Sequence, residues 1–400
     1  MLFELNMEKV PFVTLIMPVR NEGGFITHSL GSVLAQDYPH DRMEVLIADG
    51  MSTDGTRDVV ACLAATYPRI RVTVLDNPGK IVPTGMNASL ARAQGEIIVR
   101  VDGHTIVAPD YVRECIAALE RSGASNVGGR MDPVSEGRFG HATALATSSP
   151  FGVGGARFHY SDREEWVDTV YMGAWPRDVL QRAGFFDEEL VRDQDDELNY
   201  RLLSQGGKIL LSPRIKSRYY NRSTSRSLWR QYLQYGYWKV RVMQKHPRQM
   251  QPRQFIPTLF VAGLLISLLT APFSTVGKWM FCLVAGSYMI ANLGASVLTV
   301  KKKNWRLLSL LPITFATLHV AYGLGFLLGL FKFWNRWGDR KNRLSHSRTE
   351  VLSMKDEIDF VVAGGSDRRL SGALLRTDLA RAQGRHDANR TGSRHELNKG

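Results

Sequence analysis

Apolar positions in the first 220 residues come in short blocks separated by longer amphipathic stretches. Residues 13–17, 43–48, 70–75 and 96–101 are apolar runs of strand length. The first ends at Pro18, the second at Asp49 and the fourth at Asp102, and the third is rich in β-branched residues. Residues 24–36, 55–65, 82–93 and 109–121 place apolar residues at helical spacing. Alternation at this interval implies right-handed βαβ units, and so an α/β domain with a mostly parallel sheet and flanking helices. A further helix is expected over 193–203, with Leu198, Leu202 and Leu203 on one face.

The pattern changes after residue 250. Residues 254–277, 279–300 and 307–331 are apolar runs, each long enough for the roughly 20 residues a bilayer needs. Arg248 and Arg253, then Lys301, Lys302, Lys303 and Arg306, then Lys332 and Arg336 flank them, and Trp279, Trp305, Trp334 and Trp337 sit near their ends. Basic flanks and terminal tryptophans suit membrane helices. Buried helices of a soluble protein are the alternative, but three such runs in succession are rare in soluble cores. A cytoplasmic N-terminal domain puts residues 301–306 inside, as the positive-inside rule prefers, and an odd number of crossings then sends the basic tail outside, against the rule. One run could instead be re-entrant or interfacial, and Pro257 and Pro272 point to the first. The expected divisions are a catalytic domain over 10–220, a basic and aromatic docking segment over 221–253, membrane helices over 254–333, and a mostly disordered polar tail over 334–400 whose short apolar patch is 358–363.

Charge sharpens this division. The chain carries a net +13, pointing to an anionic partner, and no carboxylate occurs between Glu197 and Asp339. Cys62, Cys115 and Cys282 are too dispersed for a disulfide framework or a zinc site, which fits a reducing compartment. The N-terminus lacks the apolar run and cleavage site of a signal peptide, and Met7 could serve as the start.

In an open α/β sheet, ligands bind beyond the carboxyl ends of the strands. Pro18-Val19-Arg20-Asn21-Glu22, Asp49-Gly50 with Ser52-Thr53-Asp54-Gly55, and Asp102-Gly103-His104 all fall at such ends. An aspartate there is most often a cap or turn residue, but three polar clusters on one rim suit a polar ligand. Asp102 and His104 offer a carboxylate oxygen and an imidazole nitrogen to a divalent ion such as Mg²⁺ or Mn²⁺. A second acidic cluster spans 187–197. It reads either as a solvated face or as a source of a general base with a raised pKa.

In order and spacing, Pro18–Glu22, Asp49-Gly50-x-Ser52-x-Asp54-Gly55-Thr56, Asp102-x-His104 and Gln194-Asp195-x-Glu197-Leu198-x-x-Arg201 resemble family 2 glycosyltransferases with the GT-A fold. His104, Gln194 and Tyr232-x-x-Tyr235-Gly236-x-Trp238-Lys239 look most like the ExoA-type succinoglycan glucosyltransferases. The resemblance implies a nucleotide-diphosphate sugar donor, most often a UDP-sugar, with glucose as the sugar. Carried over by position, Pro18, Arg20 and Glu22 line the nucleotide pocket, Asp49 bonds the base, and Asp102 meets the donor and, with His104, the metal. Asp195 takes the catalytic-base position, with Asp196 and Arg201 as further candidates. His104 replaces the family's usual second carboxylate. The Gln-x-x-Arg-Trp motif of processive synthases is absent, which implies one sugar per encounter. The implied enzyme is an inverting, metal-dependent hexosyltransferase of exopolysaccharide synthesis. It would be multi-pass in the inner (cytoplasmic) membrane, with its catalytic domain cytoplasmic and a lipid-linked saccharide as acceptor.

The basic residues Arg218, Arg222, Arg226, Arg230, Lys239, Arg241 and Lys245 are interleaved with aromatics. That mixture suits single-stranded nucleic acid or an interfacial helix at anionic headgroups, and the apolar runs downstream favour the membrane. On this reading these cations offset a lipid diphosphate, while Ala174, Trp175 and residues 152–155 shape the acceptor side. The competing readings are a polyprenyl-phosphate sugar synthase and a non-catalytic membrane scaffold with a decayed transferase domain.

Overall fold

In the computed structural model, residues 10–300 and 305–338 are described. The four expected strands and the first four helices form with small shifts of boundary. They are β1 (Val13–Val19), α1 (Ile26–Leu34), β2 (Met43–Asp49), α2 (Thr56–Thr66), β3 (Arg71–Asp76), α3 (Val82–Leu90) and β4 (Ile97–Arg100), then β5 (Thr105–Val107) and α4 (Tyr111–Ser122). There follow β6 (Asn126–Val134), α5 (Gly137–Thr147), α6 (Pro150–Val153), β7 (Glu165–Trp166), β8 (Tyr171–Pro176), α7 (Arg177–Ala183), α8 (Gln194–Ser204) and β9 (Ile209–Tyr220). The C-terminal part is helical: α9 (Ser225–Lys245), α10 (Ile256–Thr270), α11 (Thr275–Val300) and α12 (Leu311–Lys332).

The sheet order is β3-β2-β1-β4-β8-β6-β9-β5, with β7 added on β9. β3, β2, β1 and β4 are parallel, as the βαβ pattern requires. Beyond this half only β6 and β9 pair in parallel. β8 runs antiparallel to both β4 and β6, and β5 and β7 run antiparallel to β9, so the sheet as a whole is mixed. These strands lack the continuous apolar runs that mark a parallel strand buried on both faces. In β6, Gly128 and Gly129 let the chain pass where side chains would collide with Val170 and with the carbonyl of Ile215.

The core divides across the sheet. Leu15, Met17, Val45, Ile47 and Val99 face α1 and α4, while Ile16, Leu46 and Ile98 face Met86, Leu90, Trp175, Phe186 and Leu198. Period-two burial of this kind fixes the register, because a one-residue slip would exchange the two faces.

The C-terminal helices pack in a different way. Pro257 lies in the first turn of α10, where its missing N–H costs nothing, and Pro272 follows the helix end. The prolines therefore bound α10 rather than break it. Pro252–Thr270, Thr275–Val300 and Leu311–Lys332 are each long and apolar enough to cross a membrane. α9 and α12 touch backbone to backbone: a Cβ at Gly236 would strike the carbonyl of Tyr322, one at Gly325 the carbonyl of Leu233, and one at Gly329 the carbonyl of Tyr237. The tail expected to be disordered lies, beyond residue 338, outside the described residues.

Candidate active site

The loop after β1 and the loop after β2 are knitted together. The Asn21 amide donates to Ser52 Oγ (2.8 Å), and Asn21 Oδ1 accepts from the Thr53 amide (2.9 Å). Asn21 and Met51 both adopt left-handed backbone conformations, with φ of 54° and 59°. Non-glycine residues in that region carry a strain cost and tend to sit at functional loops. Arg20 is exposed and packs across Gly50. Pro18 is the partly buried penultimate residue of β1, one strand over from Ala48.

Asp49 is buried at the end of β2. It accepts from the Ser52 hydroxyl and amide and from Arg57 Nε (2.6 Å), and Arg57 also reaches Asp76. Burial pushes the carboxyl up, but Ser52 and Arg57 together outweigh it and hold it below the usual range. Glu22 links this cluster to the next strand: its amide donates to Thr56 Oγ1 (3.0 Å) and its Oε1 lies 3.0 Å from His104 Nδ1.

Asp102 and His104 lie in the turn between β4 and β5, closed by the Thr105 amide donating to the Asp102 carbonyl (3.0 Å). Asp102 Oδ1 accepts from Arg100 Nε (2.8 Å), and Oδ2 faces the Tyr171 hydroxyl (3.3 Å). Burial again disfavours the charge, but Arg100 and His104 dominate and keep Asp102 ionised below its ordinary pKa.

Opposite this turn stands α8. The chain enters it through Asp193, whose φ of 59° turns the helix start toward the sheet. Asp195, in the first turn, pairs with Arg100 Nη1. One buried guanidinium thus spans Asp102 and Asp195, bringing the strand-end carboxylate and the α8 carboxylate to opposite sides of a single side chain. Burial raises the Asp195 carboxyl to about 6, with Arg100 opposing and Asp102 and Asp196 adding to the rise.

Asp196 points elsewhere. It accepts from Thr169 Oγ1 (2.7 Å) and pairs with Lys239 of α9, which also lies 3.3 Å from Asp193. Arg201 is not brought into the cleft either. Its guanidinium is spent on Glu197 and on the carbonyls of Ala183, Gly184 and Phe185. Ala174 and Trp175 are core residues, Trp175 packing edge-on against Phe186, and so do not line an acceptor surface.

The acidic cluster is not a solvated face. Lys245 pairs with Asp187 and Glu189, Arg241 and Arg336 hold Glu189, and the pairs are largely buried. Burial works against the Glu189 charge, yet Arg241 and Lys245 bring its carboxyl down to about 2. Three of the cations expected to meet lipid phosphate, Lys239, Arg241 and Lys245, are therefore committed to internal carboxylates. The residues missed at the site are Arg100 and Tyr171. Arg100 carried a signal, since a charge inside an apolar strand has to be paired once buried; Tyr171 carried none.

Among the described residues no group of three or more His, Cys, Asp or Glu is arranged to hold a metal ion. Asp102 and His104 would still suit a divalent ion as a donor pair of one carboxylate and one imidazole. The Glu22 carboxylate fixes the His104 ring through Nδ1, leaving Nε2 for a ligand, which is the usual way a metal-binding imidazole is oriented.

A mixed sheet whose parallel half ends in a polar rim, faced by an acidic helix start, has the GT-A architecture. The chain shares its fold with the solved mannosyltransferase PcManGT from Pyrobaculum calidifontis, determined in complex with GDP-Man and Mn2+. The two align at a TM-score of 0.53 and 21% identity, over 80% of this chain and 88% of that one.

Residues 14–182 match the family model described as Glycosyl transferase family 2. Over 80% of its length the chain is 29% identical to the succinoglycan biosynthesis protein ExoA of Rhizobium meliloti, covering 96% of that protein. Over 80% it is also 28% identical to the dolichyl N-acetyl-alpha-D-glucosaminyl phosphate 3-beta-D-2,3-diacetamido-2,3-dideoxy-beta-D-glucuronosyltransferase of Methanococcus voltae, covering 98% of it.

Proposed function

We propose that this glycosyltransferase moves one sugar, glucose in the first instance, from a UDP-sugar to a hydroxyl of a lipid-linked saccharide, with inversion at the anomeric carbon. The reading places the reaction at the cytoplasmic face of the inner membrane, in exopolysaccharide assembly. The two relatives support it: one is named for succinoglycan biosynthesis and the other for transfer to a sugar on dolichyl phosphate.

The observation that carries the proposal is the Arg100 bridge, which holds Asp195 across the cleft from Asp102. A hydroxyl is a poor nucleophile at neutral pH. Asp195, with its carboxyl raised to about 6, is poised to accept the acceptor's proton as the new C–O bond forms. The bond from the anomeric carbon to the diphosphate breaks on the opposite side, and the nucleoside diphosphate leaves. Pro18, Arg20 and Glu22 line the nucleotide pocket and Asp49 receives the base, positioned through Ser52 and Arg57. Asp102 and His104 would hold a divalent ion, which when bound would offset the charge of the leaving diphosphate. Asp196 is directed instead to Lys239 and Thr169.

Membranes containing the protein, given radiolabelled nucleotide sugars with Mn²⁺, Mg²⁺ or chelator and then extracted for lipid, test the reading. Metal-dependent transfer from a UDP-sugar to an oligosaccharide-bearing lipid is expected. Label on polyprenyl phosphate alone would make the protein a polyprenyl-phosphate sugar synthase, and no transfer or donor hydrolysis at all would leave a scaffold.

A further inference from the structure

The membrane part of the chain is not three equivalent spans. α10 and α11 form a hairpin whose far end is bare: Phe273 is 90% exposed, and Leu269, Val276, Trp279 and Leu283 are all exposed. α12 differs, because it is tied to the catalytic side along its whole length. Near its start, His319 Nε2 lies 2.8 Å from the Phe151 carbonyl, and Phe315 packs edge-on against the Phe151 ring at 5.0 Å. Through its middle the glycine contacts press it on α9. Just past its end, Gln244 donates to the Phe333 carbonyl (2.8 Å) and Arg336 bonds Glu189 (2.8 Å).

The register of those contacts is parallel. Leu233 meets Gly325, Tyr237 meets Gly329 and Gln244 meets Phe333, so the contacts advance together along both helices. α9 carries Arg226, Arg230, Lys239, Arg241 and Lys245, and through the last three it is locked to Asp187, Glu189, Asp193 and Asp196. A 22-residue helix is about 33 Å long, enough to cross. Were α12 to cross, however, α9 and the acidic segment bonded to it would have to cross alongside, and charged groups are excluded from the bilayer centre.

We infer that only the α10–α11 hairpin is driven into the bilayer, that α12 lies flat in the near lipid interface, and that the chain leaves α12 on the same side as the catalytic domain. The face of α12 left by α9 and α10 fits that partner: Ile313, Leu328 and Phe331 are exposed, followed by Trp334 and Trp337. A hairpin enters and leaves on one side. Arg306 ahead of α12 and Lys332 and Arg336 at its end then share that side, and the conflict with the positive-inside rule disappears.

The test uses the full chain in right-side-out and inside-out membrane vesicles with a membrane-impermeant maleimide. With Cys282→Ser, the exposed native Cys62 reports the side of the catalytic domain. With Cys62→Ser and Cys282→Ser, Gly338→Cys reports the side on which α12 ends. Labelling of both in the same vesicle orientation is expected; labelling of Gly338→Cys only in the opposite orientation would overturn the inference. A second measurement places fluorophores on Ile313→Cys, Leu324→Cys and Phe331→Cys and quenches them with nitroxide lipids. All three are expected to be quenched best by shallow nitroxides, whereas a crossing helix would make Leu324→Cys the deepest.

Discussion

The strand-end rim and the seam between α8, α9 and α12 use the same residue types in different surroundings. At the rim, one guanidinium is shared between two carboxylates, and the loops are held by short hydrogen bonds in partly open positions. In the seam, the lysines are likewise shared, Lys239 between Asp193 and Asp196 and Lys245 between Asp187 and Glu189, but the network is closed in by helices that meet through glycine. Asp195 and Asp196 show the contrast within one turn of α8. Both share a cation with a second carboxylate, Asp196 sharing Lys239 with Asp193 and Asp195 sharing Arg100 with Asp102. Asp196 is fixed further by the Thr169 hydroxyl, whereas burial raises the Asp195 carboxyl to about 6 and leaves it able to take up a proton.

Substitutions should separate the two regions. Asp195→Asn is expected to lower kcat by about 10²–10⁴, the range for loss of a general base, while donor affinity and thermal stability stay near those of the parent; retained turnover would move the base elsewhere. Lys239→Met should do the reverse, leaving Asp193 and Asp196 buried without their cation. Breaking a buried pair costs about 3–5 kcal/mol, so Tm in detergent should fall sharply, and adding Asp196→Asn should restore part of it. Gly325→Leu forces α12 away from the Leu233 carbonyl and should cost about 1–3 kcal/mol, read as earlier thermal aggregation with donor binding retained in the folded fraction.

The finest contrast is in pH. An acid with a raised pKa is protonated, and useless as a base, at pH values where an ordinary aspartate is ionised. With Asp195 at about 6, kcat/KM should fall below pH 6, about tenfold per unit. Because Arg100 opposes the rise, Arg100→Met should move that limb to higher pH; an unchanged limb would assign it to another group.

Much of the rim was legible because its chemistry is local. Asp49, Asp102 and His104 end or follow apolar runs, and a strand's end fixes where its next residue sits. The parallel half of the sheet was legible for the same reason, its strands being continuous apolar blocks. β6, β8 and β9 were not, since they hold glycines and charges and are defined by partners distant in sequence. The seam was hidden more deeply. A helix with Lys239, Arg241 and Lys245 reads as water- or lipid-facing until its acids are known to come from 187–196. The glycines of α12 look like ordinary membrane-helix composition, and only the facing α9 backbone gives them a purpose. Arg201 shows the opposite error, a motif position whose side chain braces the turn at residues 183–185.

The seam bears on how such an enzyme can be handled. Cutting the chain ahead of α9 to obtain a water-soluble catalyst would strip the counter-charges from Asp187, Glu189, Asp193 and Asp196 in one stroke. Cutting after α9 would bare the ridge of peptide groups on which α12 rests. An excised fragment is therefore a different molecule from the enzyme, and purification has to carry the lipid-facing helices with it.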